Sequence, residues 1–449
     1  MATTILGRPH ARPMPISIRA LSAIGQRESY SAGPDGILER LVALAGRCTS
    51  SRMRDISGLG DGVEPWMRWW RSYLRGSVAE AEERGAPVRI VDLFCGIGGL
   101  SLGAAEAVRA TGMKPVFELA VDMDAAALEV YAENLRPSVM LARNITSLLC
   151  QSPARLPDGE FPDRSWLADP LLHSLAGNVD LLLAGPPCEG HSNLNNHTRR
   201  RDPRNLLMLD AVALAIALEA SAVVVENVAT ARLDAYGVVG RSIQMLRSAG
   251  YRVCCVRADA SRYGVAQTRQ RLLILASRYG TPSEWTLAEL EKLPVPDVRW
   301  AIEDLQDADG SFLDIPARLS PENEHRIAYL FETDSYELPN FLRPRCHRDG
   351  HTYPSMYGRL PWNKPAGTIT TGFMCAGRGR YVHPSRPRTL TPHEAARLQG
   401  IPDSFRFFRA NGAAPSRTQL ARWIGNAVPP PLAYAVVLTV LEALMDRNA

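Results

Sequence analysis

The chain has 449 residues, of which 46% are hydrophobic, which is enough to bury a large core and to form more than one lobe. Its net charge of +4 and its pI of about 8.6 are too modest to identify a strongly basic nucleic-acid-binding domain. The longest apolar run, 206–225, is interrupted by Asp210 and Glu219, and the N-terminus lacks the pattern of a signal peptide, so we expect a cytoplasmic protein without a membrane span.

The cysteines are expected to be reduced. All eight are scattered, they form no CxxC pair, and a chain of this length does not need disulfide staples. Five possible zinc ligands lie close together in the sequence, but their spacing matches no standard zinc site. They are Cys346, His347, His351, Cys375 and His383. We therefore expect no bound metal.

Residues 1–87 form an N-terminal extension without a recognisable motif, which we predict to be partly disordered and then helical. The stretch 65–85 has a helical pattern that places Trp66, Trp69 and Trp70 on roughly one side. That side is either a packing surface or an aromatic and basic surface that faces DNA. Packing is favoured because large aromatic side chains usually lie in protein cores.

Short apolar strands alternate with helices over residues 88–278. Strands are predicted at 88–94, 116–121, 179–184, 222–226, 251–257 and 271–276. Helices are predicted at 99–110, 124–135, 205–219 and 238–249. This alternation is typical of an α/β fold that is doubly wound around a mostly parallel, Rossmann-like sheet.

The regular alternation ends near residue 278. Residues 279–385 are rich in Pro, Arg, Gly and Tyr and have weak periodicity, which predicts a second, smaller and irregular lobe. Helical signals return at 391–399 and at 430–444. We expect residues 386–449 to return to the first lobe.

A glycine-rich turn follows the first strand of the regular region, in the segment VDLFCGIGGLSLG. Gly96, Gly98 and Gly99 permit a tight turn and a close approach of a ligand to the backbone. The second strand ends at Asp122, a position from which a carboxylate can accept hydrogen bonds from ribose hydroxyls. Taken alone, such a turn could bind a dinucleotide or simply pack.

A thiol and a carboxylate follow two later strands. Gly185-Pro186-Pro187-Cys188 ends the strand at 179–184, and Glu226-Asn227-Val228 ends the strand at 222–226. The carboxyl ends of parallel strands meet at one edge of a sheet, which is also the edge of the glycine-rich turn. We therefore expect Cys188 and Glu226 to lie near a bound ligand at this edge.

Three further segments complete an ordered series of motifs. QTRQR begins at Gln267, RTLTPHEAARLQGIPDSF begins at Arg388, and IGNAVPPPLA begins at Ile424. In this order, the motifs resemble those of the DNA cytosine-5 methyltransferase family over about residues 88–278 and 360–440. The resemblance implies S-adenosylmethionine as the cofactor, duplex DNA as the substrate, and residues 279–385 as the region that recognises the target sequence.

The resemblance also implies the chemistry. A thiolate of Cys188 would add to C6 of a flipped-out cytosine, because C5 is too poor a nucleophile to take a methyl group unaided. A protonated Glu226 would engage the edge of the base at N3. Arg269 and Arg271 would hold the base and the Pro-Cys loop, and Arg271 is the better candidate for the base.

The remaining site residues are implied in the same way. The expected cofactor site is formed by Phe94, Gly96, Ile97, Gly98, Gly99, Leu100, Asp122, Met123, Asn144, Ile145, Gly185, Pro187, Asn426 and Val428. The expected DNA contacts are Arg199, Arg200, Arg201, Arg204 and Gln267. A run of charged residues is often only a solvated surface, but the place of these arginines just after the Pro-Cys loop favours phosphate contact.

Several positions depart from the usual family pattern, and two of these departures lie in the expected site. Glu189 follows the nucleophile where Gln is common, and its charge either opposes formation of the thiolate or is neutralised by an arginine of 199–204. Asn144-Ile145 stands where an acidic and an apolar residue usually meet the adenine. Asn can still accept a hydrogen bond from the adenine amine, so we expect cofactor binding to persist.

Arginines in the variable region are candidate readers of guanine, at Arg343, Arg345, Arg348, Arg378 and Arg380. Two other functions share these motifs, namely methylation of tRNA and binding of DNA without catalysis. The large variable region favours DNA, and the presence of the four catalytic candidates favours activity. The expected partners are duplex DNA and a cognate restriction nuclease or other defence proteins, and the resemblance implies a monomer.

Overall fold

The computed structural model of the chain describes residues 27–81, 85–153, 162–191, 200–348, 355–409 and 412–446. Within them, eleven strands form a four-stranded and a seven-stranded sheet. The strands are β1 Glu28–Ala32, β2 Ile37–Leu44, β3 Arg47–Arg54, β4 Glu80–Ala81, β5 Pro87–Leu93, β6 Lys114–Asp122, β7 Val139–Ala142, β8 Leu181–Ala184, β9 Ala222–Val228, β10 Arg252–Asp259 and β11 Gln270–Ser277. The helices are α1 Pro65–Leu74, α2 Gly99–Ala110, α3 Ala125–Leu135, α4 Pro170–Leu175, α5 Leu207–Ala217, α6 Val238–Ser248, α7 Glu284–Glu289, α8 Val298–Ile302, α9 Pro321–Glu332, α10 Pro392–Leu398, α11 Arg417–Asn426 and α12 Pro430–Met445.

The seven-stranded sheet has the order β10-β11-β9-β8-β5-β6-β7. The strands β5 to β9 pair in parallel, whereas β11 is antiparallel to both β9 and β10. The sheet is therefore mostly parallel, which confirms the predicted fold class. The reversed direction of β11 places its first residues at the edge where the parallel strands end.

Helices cover both faces of this sheet. Successive residues of a strand point to opposite faces, so Leu181 and Leu183 of β8 belong to one apolar core and Leu182 and Ala184 to the other. The helices α2, α3 and α12 complete the first core, and α5 and α6 complete the second. The predicted strands and helices of the regular region differ from the observed ones by at most two residues at their ends.

The N-terminal extension contains an antiparallel sheet in the order β1-β2-β3-β4, which the sequence analysis did not predict. Alternate residues of β2 are buried, but one of them is Arg40, whose charge hides the apolar alternation. Its guanidinium lies 2.9 Å from the carboxylate of Glu106 and 4.6 Å from the ring centre of Trp69. The ion pair and the aromatic face compensate for its burial.

The helix predicted at 65–85 is shorter than expected. α1 ends at Leu74, and Gly76 then adopts a left-handed backbone with a φ of +93°, which a helix cannot continue. The side chains of Trp66, Trp69 and Trp70 are 7%, 0% and 1% exposed. These exposures favour the packing role over a DNA-facing role.

The second lobe has a small apolar core that includes Ile327 and Leu330 of α9. Two other helices of the interval 279–385, α7 and α8, contribute their buried residues to the first core instead. After this lobe, α12 packs against α2 of the first lobe. Among the described residues, the helical stretch Arg417–Met445 is long and apolar enough to cross a membrane, but 89% of its most apolar window is buried within the protein.

Candidate active site

Strands β9 and β11 bring a carboxylate and a guanidinium together at the carboxyl edge of the central sheet. In their antiparallel register, Val228 is opposite Arg271. The Nε atom of Arg271 lies 2.6 Å from Oε1 of Glu226, and both side chains are only 9% exposed. Burial of two charges is tolerated when each ion compensates the other. Two of the predicted catalytic residues are thus in direct contact.

Hydrogen bonds fix the loop that carries Cys188. Asn227, the neighbour of Glu226, donates from Nδ2 to the carbonyl oxygen of Pro186 at 3.1 Å. On the other side of Cys188, the amide of His191 donates to the Cys188 carbonyl at 3.0 Å. Asn227 had no predicted role, although it lies between Glu226 and Val228 in a recognised motif. Asn227 connects the strand of the carboxylate to the loop of the thiol.

Charged groups of opposite sign surround the Cys188 thiol. Burial raises its pKa, and the carboxylates of Glu226 and Glu189 act in the same direction, whereas Arg271 and Arg269 oppose them. The thiol form is therefore favoured in the absence of substrate. The two guanidiniums are the groups that can stabilise a thiolate here.

Arg269 and Gln267 connect segments that are distant in the chain. Arg269 donates to the carbonyl oxygens of Ile369 at 2.9 Å and Gly425 at 3.2 Å, rather than to the Pro-Cys loop. Burial, together with the charge of Arg271, lowers its pKa to about 9. Gln267 is fully buried and donates to the carbonyl oxygen of Leu398 at 3.0 Å. The expected DNA contact of Gln267 is therefore wrong, because its side chain is a structural link inside the protein.

The glycine-rich turn is shaped by close packing. Gly96 and Gly98 have φ angles of +52° and +92°, which favour glycine. A Cβ on Gly99 would lie 2.5 Å from the carbonyl oxygen of Val428. The C-terminal motif therefore lies so close to the turn that only glycine fits at this position. The backbone of Val428 thus lies directly against the turn.

Open space and polar groups lie in front of this turn, as a cofactor site requires. A Cβ on Gly96 would meet no atom within 4 Å. The carboxylate of Asp122 accepts hydrogen bonds from the amides of Gly96 and Asp124, both at 2.8 Å, which holds it at the tip of β6. The adjacent Met123 is 71% exposed, and Asn426 is exposed as well. These residues fit the predicted nucleoside site.

Some predicted cofactor residues have buried side chains. Five of the predicted cofactor residues are buried, namely Ile97, Gly98, Gly99, Leu100 and Val428. The side chain of Ile145 is 1% exposed and belongs to the second core, so the expectation that it contacts the adenine is corrected. Asn144 is exposed, but its side chain accepts a hydrogen bond from the amide of Thr146 at 3.1 Å. Phe94, Gly185 and Pro187 are half-buried around the opening.

The arginine run after the Pro-Cys loop is divided in its roles. Arg199 lies outside the described residues. Arg204 donates to Asp202 at 2.7 Å and to Glu189 at 3.2 Å, which is the neutralisation that the sequence left as one alternative. The side chain of Arg201 is exposed, and that of Arg200 is half-buried.

A cleft of about 620 Å³ separates the Pro-Cys loop from the second lobe. Its lining includes Glu189, Asn426, Arg318 and Arg378. Both arginines are exposed, and Arg318 was not predicted because it stands alone in its segment.

The other candidate readers of guanine and the possible zinc ligands are placed differently. Arg380 donates to the carboxylate of Glu337 at 2.6 Å, and Arg343 and Arg348 donate to backbone carbonyl groups. The buried His383 accepts a hydrogen bond from the amide of Ser385 at 3.1 Å. His351 and the side chain of Cys346 lie outside what the structure describes.

Comparison with known proteins gives consistent results. The family described as C-5 cytosine-specific DNA methylase matches residues 88–442. Type II methyltransferase M1.BsuMI of Bacillus subtilis (strain 168) is 40% identical over 357 residues, which cover 79% of this chain and 81% of that protein. Type II methylase M.HgiDII of Herpetosiphon aurantiacus is 27% identical over 377 residues, which cover 80% and 97%.

Two solved structures share the fold. A putative DNA modification methyltransferase encoded within an E. coli prophage has a TM-score of 0.52 and 22% identity, and the match covers 80% of this chain and 99% of that one. The S. pombe Dnmt2 methyltransferase has a TM-score of 0.53 and 16% identity, with coverages of 79% and 98%. At these identities, the likeness concerns the fold alone.

Proposed function

Because the chain belongs to the C-5 cytosine-specific DNA methylase family, we propose that Cys188 is its nucleophile and that Glu226 and Arg271 hold the target base. Membership makes the chain a DNA (cytosine-5)-methyltransferase that uses S-adenosylmethionine. The observation that carries the site assignment is the buried contact of 2.6 Å between Glu226 and Arg271, which the hydrogen bond from Asn227 to Pro186 links to the Cys188 loop.

Each group has a defined task in this proposal. The Cys188 thiolate forms a bond to C6 of the flipped cytosine, and the electron pair of the C5–C6 bond moves toward C5. Glu226 is paired with Arg271 in the free enzyme. When the base binds, it would take up a proton from solvent, donate to ring N3 and stabilise the charge that develops on the ring. Once C5 carries the methyl group, a base removes the C5 proton, its electron pair restores the C5–C6 bond, and the Cys188 sulfur leaves with the electrons of the C6–S bond.

S-adenosylmethionine, when bound, supplies the methyl group as an electrophile. Asp122 would hold the ribose and Met123 would pack on the adenine, because both lie at the open tip of β6. Gly96 would let the amino-acid portion approach the backbone, and Asn426 would close the opposite side.

Duplex DNA would lie in the cleft between the lobes. Arg318 and Arg378 face this cleft, and Arg200 and Arg201 follow the Pro-Cys loop. Guanidinium groups near phosphates give affinity for every sequence alike, whereas those that reach base edges give specificity. We assign Arg200 and Arg201 to phosphates and Arg378 to a base edge.

We also place the enzyme in a restriction-modification system. The relatives named above carry the description type II. A nuclease that cuts the same sequence would be the partner, and the methyltransferase would act in the cytoplasm as a monomer. Plasmid DNA recovered from cells that express the enzyme should then resist one restriction nuclease.

Trapping of the covalent adduct tests the nucleophile. Bisulfite sequencing of that plasmid DNA gives the target sequence, and a duplex with 5-fluorocytosine at the target position should then form a stable adduct with the wild type. Cys188→Ala should form none, and the exposed-thiol control Cys150→Ala should form as much as the wild type. An adduct with Cys188→Ala would overturn the assignment. Labelling of tRNA but not of duplex DNA would identify a different substrate.

A further inference from the structure

One short stretch of chain contacts both segments that flank residues 192–199. This stretch, residues 230–236, begins two residues after Val228, the last residue of β9. The segment before 192–199 carries Cys188, and the segment after it carries Arg200 and Arg201. The contacts of 230–236 thus link the nucleophile and the arginines to the strand of Glu226.

The first contacts are with His191. Thr230 donates from Oγ1 to the His191 carbonyl at 2.7 Å, and the His191 amide donates to the Cys188 carbonyl at 3.0 Å. The imidazole is fully buried, with its Nδ1 atom 3.7 Å from Oδ1 of Asp234. The turn that holds Cys188 is therefore bound to Thr230 by a hydrogen bond, and its buried imidazole faces Asp234.

The second contacts are with the segment that begins at Arg200. Asn205 donates from Nδ2 to Oδ1 of Asp234 at 2.6 Å. The amide of Ala235 donates to the Arg200 carbonyl at 3.2 Å, and the hydroxyl of Tyr236 donates to the Arg201 carbonyl at 3.1 Å. Three bonds from three consecutive residues hold this segment in place.

The carboxylate of Asp234 is itself rigidly placed. Its Oδ2 atom accepts a hydrogen bond from the amide of Tyr236 at 2.8 Å, and the residue is 8% exposed. The flanking segments also touch each other, because a Cβ on Gly190 would lie 2.1 Å from Oδ1 of Asn205. A buried carboxylate that accepts several hydrogen bonds gives a well-defined geometry.

We propose that Asp234 is a positioning residue of the methyl-transfer reaction, which holds Asn205 and faces His191 and thereby sets the distance between Cys188 and Glu226. This inference rests on the proposed roles of those two residues. Asp234 touches neither substrate nor cofactor and acts through the loop. A misplacement of about 1 Å at the reacting atoms can lower a rate by up to about 100-fold.

Rate measurements on three variants test the proposal. Asp234→Ala should lower the single-turnover rate of methyl transfer and the rate of adduct formation by about 10-fold to 100-fold. The dissociation constant for S-adenosylmethionine should stay within about twofold of wild type, because the glycine-rich turn is untouched. Asp234→Asn retains one oxygen that accepts from Asn205, so it should recover part of the rate. Thr230→Val removes a separate bond to the same loop and should lower the rate less than Asp234→Ala.

Asp163→Ala is the matched control. Asp163 also accepts from a neighbouring amide, that of Ser165 at 2.8 Å, but lies beside the Arg164–Glu219 pair at the opposite edge of the sheet. It should leave the rate unchanged. Wild-type rates in both Asp234 variants and in Thr230→Val would overturn the inference, as would parallel losses of cofactor affinity and thermal stability. An adduct formed by Cys188→Ala would instead overturn the proposed function, whatever the Asp234 variants do.

Discussion

The guanidinium of Arg204 lies 3.2 Å from the carboxylate of Glu189, the residue that follows the nucleophile. The two side chains are 53% and 56% exposed, so water and salt screen the attraction between them. Arg204 also bonds Asp202, which orients it toward Glu189. Arg204 thus weakens the effect of the Glu189 charge. Burial raises the pKa of the Cys188 thiol most, Glu226 raises it less, and the charge of Glu189 still raises it further.

The pH dependence of adduct formation should respond to this pair. The reactive form is the thiolate, so a raised pKa means that the rate increases as the pH rises. Glu189→Gln removes a group that raises the pKa of Cys188, and its rate profile should shift to lower pH. Arg204→Met removes the guanidinium beside Glu189 and should shift the profile to higher pH. The profiles are measured with the 5-fluorocytosine duplex at saturating cofactor, and identical profiles in all three proteins would contradict the expectation.

Variants of the Glu226–Arg271 pair should affect stability and activity differently. Arg271→Met leaves a buried carboxylate without a partner and should lower the free energy of unfolding by about 3 to 5 kcal/mol. The double variant Arg271→Met with Glu226→Gln removes both charges and should recover most of that stability in urea denaturation. It should nevertheless remain inactive, because the donor to ring N3 and the cation beside the thiol are both changed. Recovery of activity in the double variant would show that neither group is needed.

Arginines at the cleft should differ in their effect on DNA binding. Arg201→Ala should weaken binding to all duplexes alike and reduce the slope of log affinity against log salt by about 0.9 for one lost phosphate contact. Arg378→Ala should instead weaken binding to the target sequence by about 1 to 3 kcal/mol and leave other sequences unaffected. Arg47→Ala, at an exposed position on β3, is the control and should change neither quantity. Fluorescence anisotropy at several salt concentrations distinguishes the two effects.

Gly99 should not tolerate a side chain. Gly99→Ala would place Cβ 2.5 Å from the backbone oxygen of Val428, which cannot move as a flexible side chain can. The variant should lose affinity for S-adenosylmethionine and have a lower melting temperature. Gly240 lies in α6 with no atom within 4 Å of its Cβ position, so Gly240→Ala should stabilise the protein by about 0.5 to 1 kcal/mol. A stable, cofactor-binding Gly99→Ala would disprove the tight fit of the C-terminal motif.

The regular α/β region was predictable because its signals are local. Apolar strands and amphipathic helices produce a regular period in the sequence. Cys188 follows β8 directly, and Glu226 lies near the end of β9. The N-terminal sheet was not predictable, because Arg40 occupies a core position whose compensation by Glu106 and Trp69 comes from distant parts of the chain. Gln267 was misassigned for the same reason, since its partners near Leu398 are more than 100 positions away.

Roles that depend on strand direction also could not be predicted from the sequence. The periodicity of β11 is that of any buried strand, and nothing in it shows that the strand is antiparallel to its neighbours. Without that direction, the contact between Arg271 and Glu226 could be expected only from family resemblance. Asp234 and Asn227 carry no pattern of their own, because their importance lies in which loop they hold.

The contact between the glycine-rich turn and the C-terminal motif has a consequence for synthesis of the protein. Val428 follows Gly99 by 329 positions, so at about 5 to 20 residues per second the ribosome needs roughly 20 to 60 s to make the segment that covers the turn. During that time, the apolar side of α2 that later meets α12 has no native cover and is a natural site for a chaperone. Incomplete chains therefore lack a finished cofactor site, and methylation begins only with molecules whose translation has passed α12.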